Sequence, residues 1–149
     1  MTARHQNRPT AADRRRHEKI ALELTSLPTA AGREFRVQAY LDRWLGERRR
    51  TLEWKRDSDG NLLITRKTRG RGRGGPAPLL ITAHLDHPAF VVSKVVDDRT
   101  VEAEFRGGVH DPYFEDARVE FHDADDGNVR GRITELRKPD DACPFKTVT

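Results

Sequence analysis

Residues 78–91, with the sequence PLLITAHLDHPAFV, combine an apolar run with a polar tip. The apolar run at 79–83 is typical of a strand buried on both faces, so a central strand is predicted here. The run ends in His84, Asp86 and His87. In open α/β sheets, ligands bind beyond the carboxyl ends of the strands, where the sheet fixes the backbone and side chains project into a crevice. The pattern therefore predicts that His84 and Asp86 lie at a functional tip.

An alternative interpretation needs no ligand: His84 caps the strand, and the residues at 86–88 form a simple turn. Three polar side chains within four positions weaken this alternative, but the local pattern alone leaves it and a metal-binding or catalytic role for His84 equally open. A catalytic zinc ion needs about three protein ligands and an open coordination position. His84 therefore requires partner ligands from elsewhere in the protein.

The length and the cysteine content indicate an ordinary globular protein. A chain of 149 residues fits one domain of ordinary size, or about one and a half small ones, and this size buries enough surface to fold without disulfides. Cys143 is the only cysteine, which excludes an intrachain disulfide and agrees with a reducing compartment. No apolar run approaches the roughly 18 residues of a membrane span, and the N-terminus lacks the apolar core of a signal peptide. A cytoplasmic protein without membrane association is expected.

The charges are numerous and unevenly placed. Charged and hydrophobic residues each make up 35% of the chain, a low apolar share for a self-sufficient domain. The net charge is +4, with basic residues gathered at 14–16, 48–50 and 66–73 and carboxylates gathered towards the C-terminal half. Such asymmetry can mark a nucleic-acid surface, although solvated helix faces and loops produce it more often.

The N-terminal half is predicted to be helical and then to form a hairpin. Residues 1–10 show no periodicity and are expected to be a disordered tail. A helix is predicted from Ala11 to the residue before Pro28, and a second from about 33 to 49. The apolar stripe of the second helix consists of Val37, Tyr40, Leu41, Trp44 and Leu45. Two strands, at 51–56 and 61–67, flank a turn rich in Asp and Gly and are predicted to form a β-hairpin.

The C-terminal half is predicted to contain only strands. A basic, Gly-rich loop at 69–76 leads to the central strand; it is either a phosphate-gripping segment or a surface insertion. Beyond residue 88, strands are predicted at 90–96, 100–105, 117–122 and 129–136. This spacing indicates a small antiparallel barrel or sandwich. The domains are thus predicted at 11–88 and 89–149, with a loop from residue 137 and no closing element.

Several short motifs occur together in the order found in dinuclear metallo-aminopeptidases: residues 28–34, 59–62, 80–86, 90–92 and 107–109. Over about residues 22–136 the chain resembles the N-terminal part of the glutamyl/leucyl aminopeptidase family of zinc-dependent exopeptidases. Broader relatives of that family include hydrolases of the acetylornithine deacetylase and carboxypeptidase type. The sequence also lacks a nucleotide-binding Gly-rich loop, a nucleophile elbow and a paired-cysteine zinc motif, which leaves metal-linked or non-catalytic functions.

The resemblance implies an α/β fold: an incomplete α/β/α zinc-exopeptidase-like catalytic domain, followed by part of an inserted small antiparallel β-barrel domain. His84 would be a metal ligand, and Asp86 would be the catalytic-site carboxylate that orients its imidazole. The expected cofactor is a divalent metal, zinc with two ions in a complete site. The expected partners are a peptide substrate and, in the complete protein, further copies of the chain. Nucleic acid is not an expected partner of such an enzyme.

Two departures from the family pattern limit what can be carried over. His87 stands where the family usually has an acidic residue, and the remaining ligands and the general base lie beyond the inserted β domain. Little activity is therefore expected from this chain alone. The polar residues of the β half, His110, Asp111, Glu115, Asp116 and His122, are interpreted as surface or turn residues. The alternative function is a non-catalytic binding module that uses the Arg/Gly loop for nucleic acid or the β domain for self-assembly.

Overall fold

The computed structural model describes residues 8–67, 77, 79–125 and 127–149. Its N-terminal part holds two helices, α1 (Ala11–Thr25) and α2 (Phe35–Gly46). A reciprocal capping box starts α1: the Thr10 hydroxyl accepts the Asp13 N–H at 3.1 Å, and the Asp13 carboxylate accepts the Thr10 N–H at 3.1 Å. Thr10 therefore belongs to the helix start and not to a structureless tail.

The two helices differ in how much they bury. In α2, Val37 and Leu45 are buried and the rest of the predicted stripe is half-buried, which confirms the predicted amphipathic helix. In α1, none of the residues is buried. The first helix therefore lies on the surface of the molecule, and its charged side chains are exposed to solvent.

A β-hairpin follows α2, as the sequence predicts. Strand β1 (Leu52–Arg56) pairs antiparallel with β2 (Leu62–Arg66). Within the turn, the Asp57 carboxylate accepts the N–H groups of Asp59 and Asn61, and Gly60 adopts a φ of +84° that favours glycine. Side-chain and backbone hydrogen bonds from Asn61 lower the pKa of Asp57 below its ordinary value. Local turn chemistry thus closes this hairpin.

The C-terminal part consists of antiparallel strands and one short 3₁₀ helix at Asp111–Tyr113. The strands are β3 (Ala89–Val95), β4 (Val101–Arg106), β5 (Arg118–His122), β6 (Asn128–Arg132), β7 (Leu136–Arg137) and β8 (Lys146–Val148). Four of them form a sheet in the order β3-β4-β8-β7, and β5 pairs with β6 in a separate hairpin. The strands predicted at 90–96, 100–105 and 117–122 are confirmed. The segment predicted at 129–136 divides into β6 and β7.

The hydrophobic core of the described residues lies in this C-terminal part. Its centre consists of three aromatic rings. The centroid of the Phe105 ring lies 5.1 Å from that of Phe90 and 4.9 Å from that of Phe114, and the Phe105 and Phe114 rings pack edge to face. Buried Ala103, Ile133 and Val148 complete the cluster. The sheet and the β5-β6 hairpin therefore enclose a common core.

The structure confirms a mixed α/β chain with antiparallel sheets, but it corrects the expectation of a β-barrel. Among the described strands no closed barrel forms, because β3 and β7 are the outer strands of the four-stranded sheet and neither pairs with β5 or β6. The expectation of an unstructured C-terminal end was also wrong. Residues Lys146–Val148 form β8, which lies between β4 and β7 and contributes buried Val148 to the core.

The predicted central strand at 79–83 is wrong for this structure. The segment has no regular secondary structure, and Leu79, Leu80 and Ile81 are 87%, 72% and 83% exposed. A strand buried on both faces needs neighbours on both edges and layers on both faces. None of the described strands pairs with this segment. The Arg/Gly loop at 69–76 and most of the predicted tail lie outside the described residues.

Candidate metal-ligand site

His84 and Asp86 meet at the end of the apolar segment that precedes β3. The Nδ1 atom of His84 lies 2.8 Å from the backbone carbonyl oxygen of Asp86 and 3.2 Å from its carboxylate oxygen Oδ1. The imidazole is 81% exposed, whereas the Asp86 side chain is 33% exposed. The segment bends between these two residues, so a spacing of two places the carboxylate and the ring side by side.

These contacts determine which ring nitrogen can act as a ligand. Both atoms that face Nδ1 are oxygen acceptors, so Nδ1 carries the proton and donates it to Asp86. In the neutral ring, Nε2 then holds the free lone pair. Metal-binding histidines commonly donate their other N–H to a carboxylate or carbonyl, which fixes the tautomer and the ring orientation. The local geometry of His84 therefore suits coordination through Nε2.

The donor set fits one ligand position of a metal centre and not a complete centre. Among the residues that the structure describes, no group of three or more His, Cys, Asp or Glu side chains could hold a metal ion. A catalytic zinc needs about three protein ligands. His84 could supply one of them, and Asp86 could orient it, while the other ligands would have to come from residues outside the described part of the chain.

His87 lines a cleft of about 450 Å³ between the two halves of the molecule, whose lining does not include His84 or Asp86. The N-terminal wall includes Phe35 and the turn around Thr29, whereas β3 and β5 provide the other wall, including His122. Two hydrogen bonds join the N-terminal part of the molecule to the C-terminal part. An Arg36 N–H group donates to the Asp123 carbonyl at 2.8 Å, and Arg106 donates to the Ala31 carbonyl at 2.7 Å. The cleft is mostly apolar.

Sequence reasoning did not identify this cleft. Its walls come from segments about 90 residues apart in the chain, at 28–36 and 119–124, and no local pattern links them. The one motif of the sequence analysis that lies in a wall of the cleft is the turn at 28–34, which is part of the family resemblance and did not predict a cleft. The burial of Thr29, which is 7% exposed, shows that this turn packs tightly against its surroundings.

Other polar residues of the β half contact charged neighbours within that half. Asp111 forms ion pairs with Lys146 and Lys138. A hydrogen bond from Lys146, with the charges of both lysines, lowers the pKa of Asp111. Asp116 lies in a turn with a φ of +54°, at 3.6 Å from Arg132. Nε2 of His122 lies 3.9 Å from Glu120. None of these groups joins His84.

Comparisons with known proteins do not assign the chain to a family. No protein-family model matches it, and no curated protein and no solved structure matches it either. In the described residues, no helix is both long and apolar enough to cross a membrane.

Proposed function

We propose that the chain is the N-terminal part of a metal-dependent aminopeptidase-type hydrolase, in which His84 is a metal ligand and Asp86 positions it. The single observation that carries this proposal is the contact of His84 Nδ1 with two oxygens of Asp86, the backbone carbonyl oxygen at 2.8 Å and the carboxylate Oδ1 at 3.2 Å. Metal-binding histidines commonly donate their second ring N–H to a carboxylate or carbonyl in this way. The order of the family-like motifs along the chain supports the same function.

The exposure of the apolar segment before His84 supports a larger catalytic domain. Leu79, Leu80 and Ile81 are consecutive apolar residues that are all exposed. Exposed apolar patches in folded proteins usually mark a surface that packs against another element or partner. In the proposed hydrolase this segment is covered by elements that the described residues do not provide.

The residues of this chain have defined roles in the proposed mechanism. A bound divalent metal would supply Lewis-acid polarisation of the peptide carbonyl and an activated water molecule. Asp86 accepts the Nδ1 N–H of His84, which fixes the tautomer whose Nε2 lone pair is free and restricts rotation of the ring. The family resemblance places the general base and the other ligands beyond the inserted β domain, so the chain by itself is expected to hydrolyse peptides poorly.

Cobalt(II) titration tests the ligand role in the isolated chain. We expect weak binding that His84→Ala removes, whereas His110→Ala, which changes an exposed histidine elsewhere, leaves it intact. Asp86→Ala should weaken the affinity about 10–100-fold, the effect of losing an orienting carboxylate. Visible absorption of cobalt reports each result. Equal binding by the wild-type chain and His84→Ala would contradict the ligand assignment.

Reading the source DNA beyond the codon for Thr149 tests the hydrolase proposal itself. We expect the frame to continue with further carboxylate and histidine ligands, and His84→Ala in that longer protein should abolish hydrolysis of aminoacyl p-nitroanilides. The matched variant His110→Ala should retain activity. A native protein with the 17.0 kDa mass of the present chain would overturn the catalytic proposal.

A further inference from the structure

We propose that the exposed basic face of α1 and α2 binds the phosphate backbone of duplex nucleic acid. The two helices border a groove of about 300 Å³ whose charged lining consists of four cations and two carboxylates: Arg16, Lys19, Arg43, Arg48, Glu23 and Glu47. This surface, called here the helical groove, is separate from His84 and its proposed role. The two proposals can therefore fail independently.

The charge of the whole chain is polarised toward the half that contains this groove. Residues 1–77 contain 19 of the 28 Lys and Arg residues but only 9 of the 24 Asp and Glu residues. The remaining residues therefore have a net negative charge. A polyanion that approaches the molecule is attracted to the helical half and repelled by the β half, which orients the encounter.

Several cations of the helical part, including Arg43 of the groove, are free to contact an anion. Within the described part of the chain, Arg14, Arg15 and Arg43 on the helices, and Arg49 and Arg50 just beyond α2, are exposed and have no carboxylate partner. The Arg16 and Lys19 side chains are 64% and 76% exposed, although each forms an ion pair within its own helix. Exposed pairs of this kind are weak, so phosphates can compete for them.

The α1 cations that line the groove lie on one face of the helix. Arg16 and Lys19 are three positions apart and are therefore neighbours on the helix surface. Arg14 does not belong to this face, because side chains two positions apart on a helix point about 200° away from each other. Double-stranded DNA carries roughly one phosphate charge per 1.7 Å of its axis, which is dense enough to offer a phosphate to each groove cation. The arginine guanidinium also matches the geometry of phosphate oxygens.

The aromatic residues of the groove favour a duplex over single strands. The Arg48 guanidinium lies 4.0 Å from the centre of the Trp44 ring and covers it. The Tyr40 hydroxyl donates to the Glu23 carboxylate at 2.9 Å. Single-strand binders stack exposed rings on unpaired bases, and here the tryptophan face is already occupied. Contacts to the backbone alone would give binding without sequence preference.

Fluorescence anisotropy with a labelled random-sequence DNA duplex tests this proposal on the 149-residue chain. We expect binding that weakens steeply as salt increases, because phosphate contacts release counterions. In Lys19→Gln/Arg43→Gln, the slope of log Kd against log salt should fall by about 1 for each cation removed. Arg16→Gln/Lys19→Gln, which removes both α1 cations of the groove, is a second variant with the same expected fall in slope, and circular dichroism shows that each variant is folded.

The matched control is Lys94→Gln/Arg130→Gln, which removes one lysine and one arginine from exposed positions of the β half. This variant should keep the wild-type affinity and slope. An equal loss in the control would show that only net charge matters and would overturn the assignment to the helical groove. Absence of binding at low salt, or equal competition by polyglutamate, would overturn it as well.

Discussion

Gly107 shows how one residue fixes the chain between the His84 segment and the sheet. It follows β4 with a φ of +153°, and a Cβ atom placed there would lie 2.6 Å from Cβ of Pro88. Both the backbone conformation and the close approach to Pro88 therefore require glycine. We expect Gly107→Ala to reduce the free energy of unfolding by about 1–3 kcal/mol, the usual cost of forcing extra atoms into a packed site.

Urea unfolding followed by circular dichroism measures the effect of Gly107→Ala. The adjacent variant Gly108→Ala is the control, because a Cβ at Gly108 meets no atom within 4 Å. It should be close to neutral. If both variants were equally stable, the contact with Pro88 would not constrain the chain at this point.

At the scale of single residues, sequence reasoning worked where the interaction is local. The contact between His84 and Asp86 spans two positions and agrees with the pairing that the family resemblance implies, while the metal-ligand role stays a prediction. The neighbours of Thr29 and His122 could not be predicted in the same way, because they come from opposite ends of the chain and depend on the packing of the two halves.

Among the elements, β8 shows that a very short strand can hold a sheet together. Val148 is 5% exposed, and it pairs with Ala103 on one side and Leu136 on the other. We expect Val148→Ala to lower the free energy of unfolding by about 1–2 kcal/mol, from about 0.8 kcal/mol for each buried methyl or methylene group lost. The exposed Val129, at 61%, gives the control Val129→Ala, which should cost far less in the same urea titration.

The contact between the 3₁₀ helix and β8 should make stability depend on pH. Asp111 contacts Lys146 of β8, and that hydrogen bond, with the lysine charges, lowers the pKa of the carboxyl below its ordinary value. A carboxyl with a lowered folded pKa stabilises the folded state above its unfolded pKa of about 3.9 and loses that contribution as the pH falls through the folded pKa.

Asp111→Asn tests this linkage because asparagine has the same shape without the charge. Near neutral pH the variant should be less stable than the wild-type protein, and the difference should shrink as the pH falls below about 4. Thermal unfolding at a series of pH values provides the measurement. A difference that stays constant to the lowest pH would contradict an ionised Asp111 as the cause.

The elements that the sequence predicted correctly are those with local signals. The stripe of α2 and the Asp-Gly turn of the first hairpin each lie within one short window, and both elements form as predicted. The failures concern pairing. β8 has three residues and finds its partner about 40 residues earlier, whereas the apolar segment at 79–83 has strand composition but no described strand beside it. Composition indicates a tendency to form a strand, but a strand forms only where a neighbouring strand provides hydrogen-bond partners for its backbone.

For the molecule as a whole, Arg106 connects the helical half to the sheet. From the end of β4 its guanidinium donates to the Ala31 carbonyl at 2.7 Å and to Glu104 at 3.1 Å. We expect Arg106→Met, which keeps much of the side-chain volume, to loosen the turn at 28–34 and to cost about 1–2 kcal/mol of stability, since hydrogen bonds from a charged donor are worth about 1.5–3 kcal/mol.

Hydrogen–deuterium exchange can localise this effect, because the link holds the turn and not the core. The amides of Gly32 and Arg33, which donate within that turn at 2.7 Å and 2.8 Å, should exchange faster in Arg106→Met. Amides of β4 and β8 should change little. Arg132→Met, which removes an exposed arginine of β6, should leave the turn protected. Unchanged exchange at Gly32 and Arg33 would mean that the halves are held together by the apolar walls of the cleft, and that the Arg106 hydrogen bond only accompanies this packing.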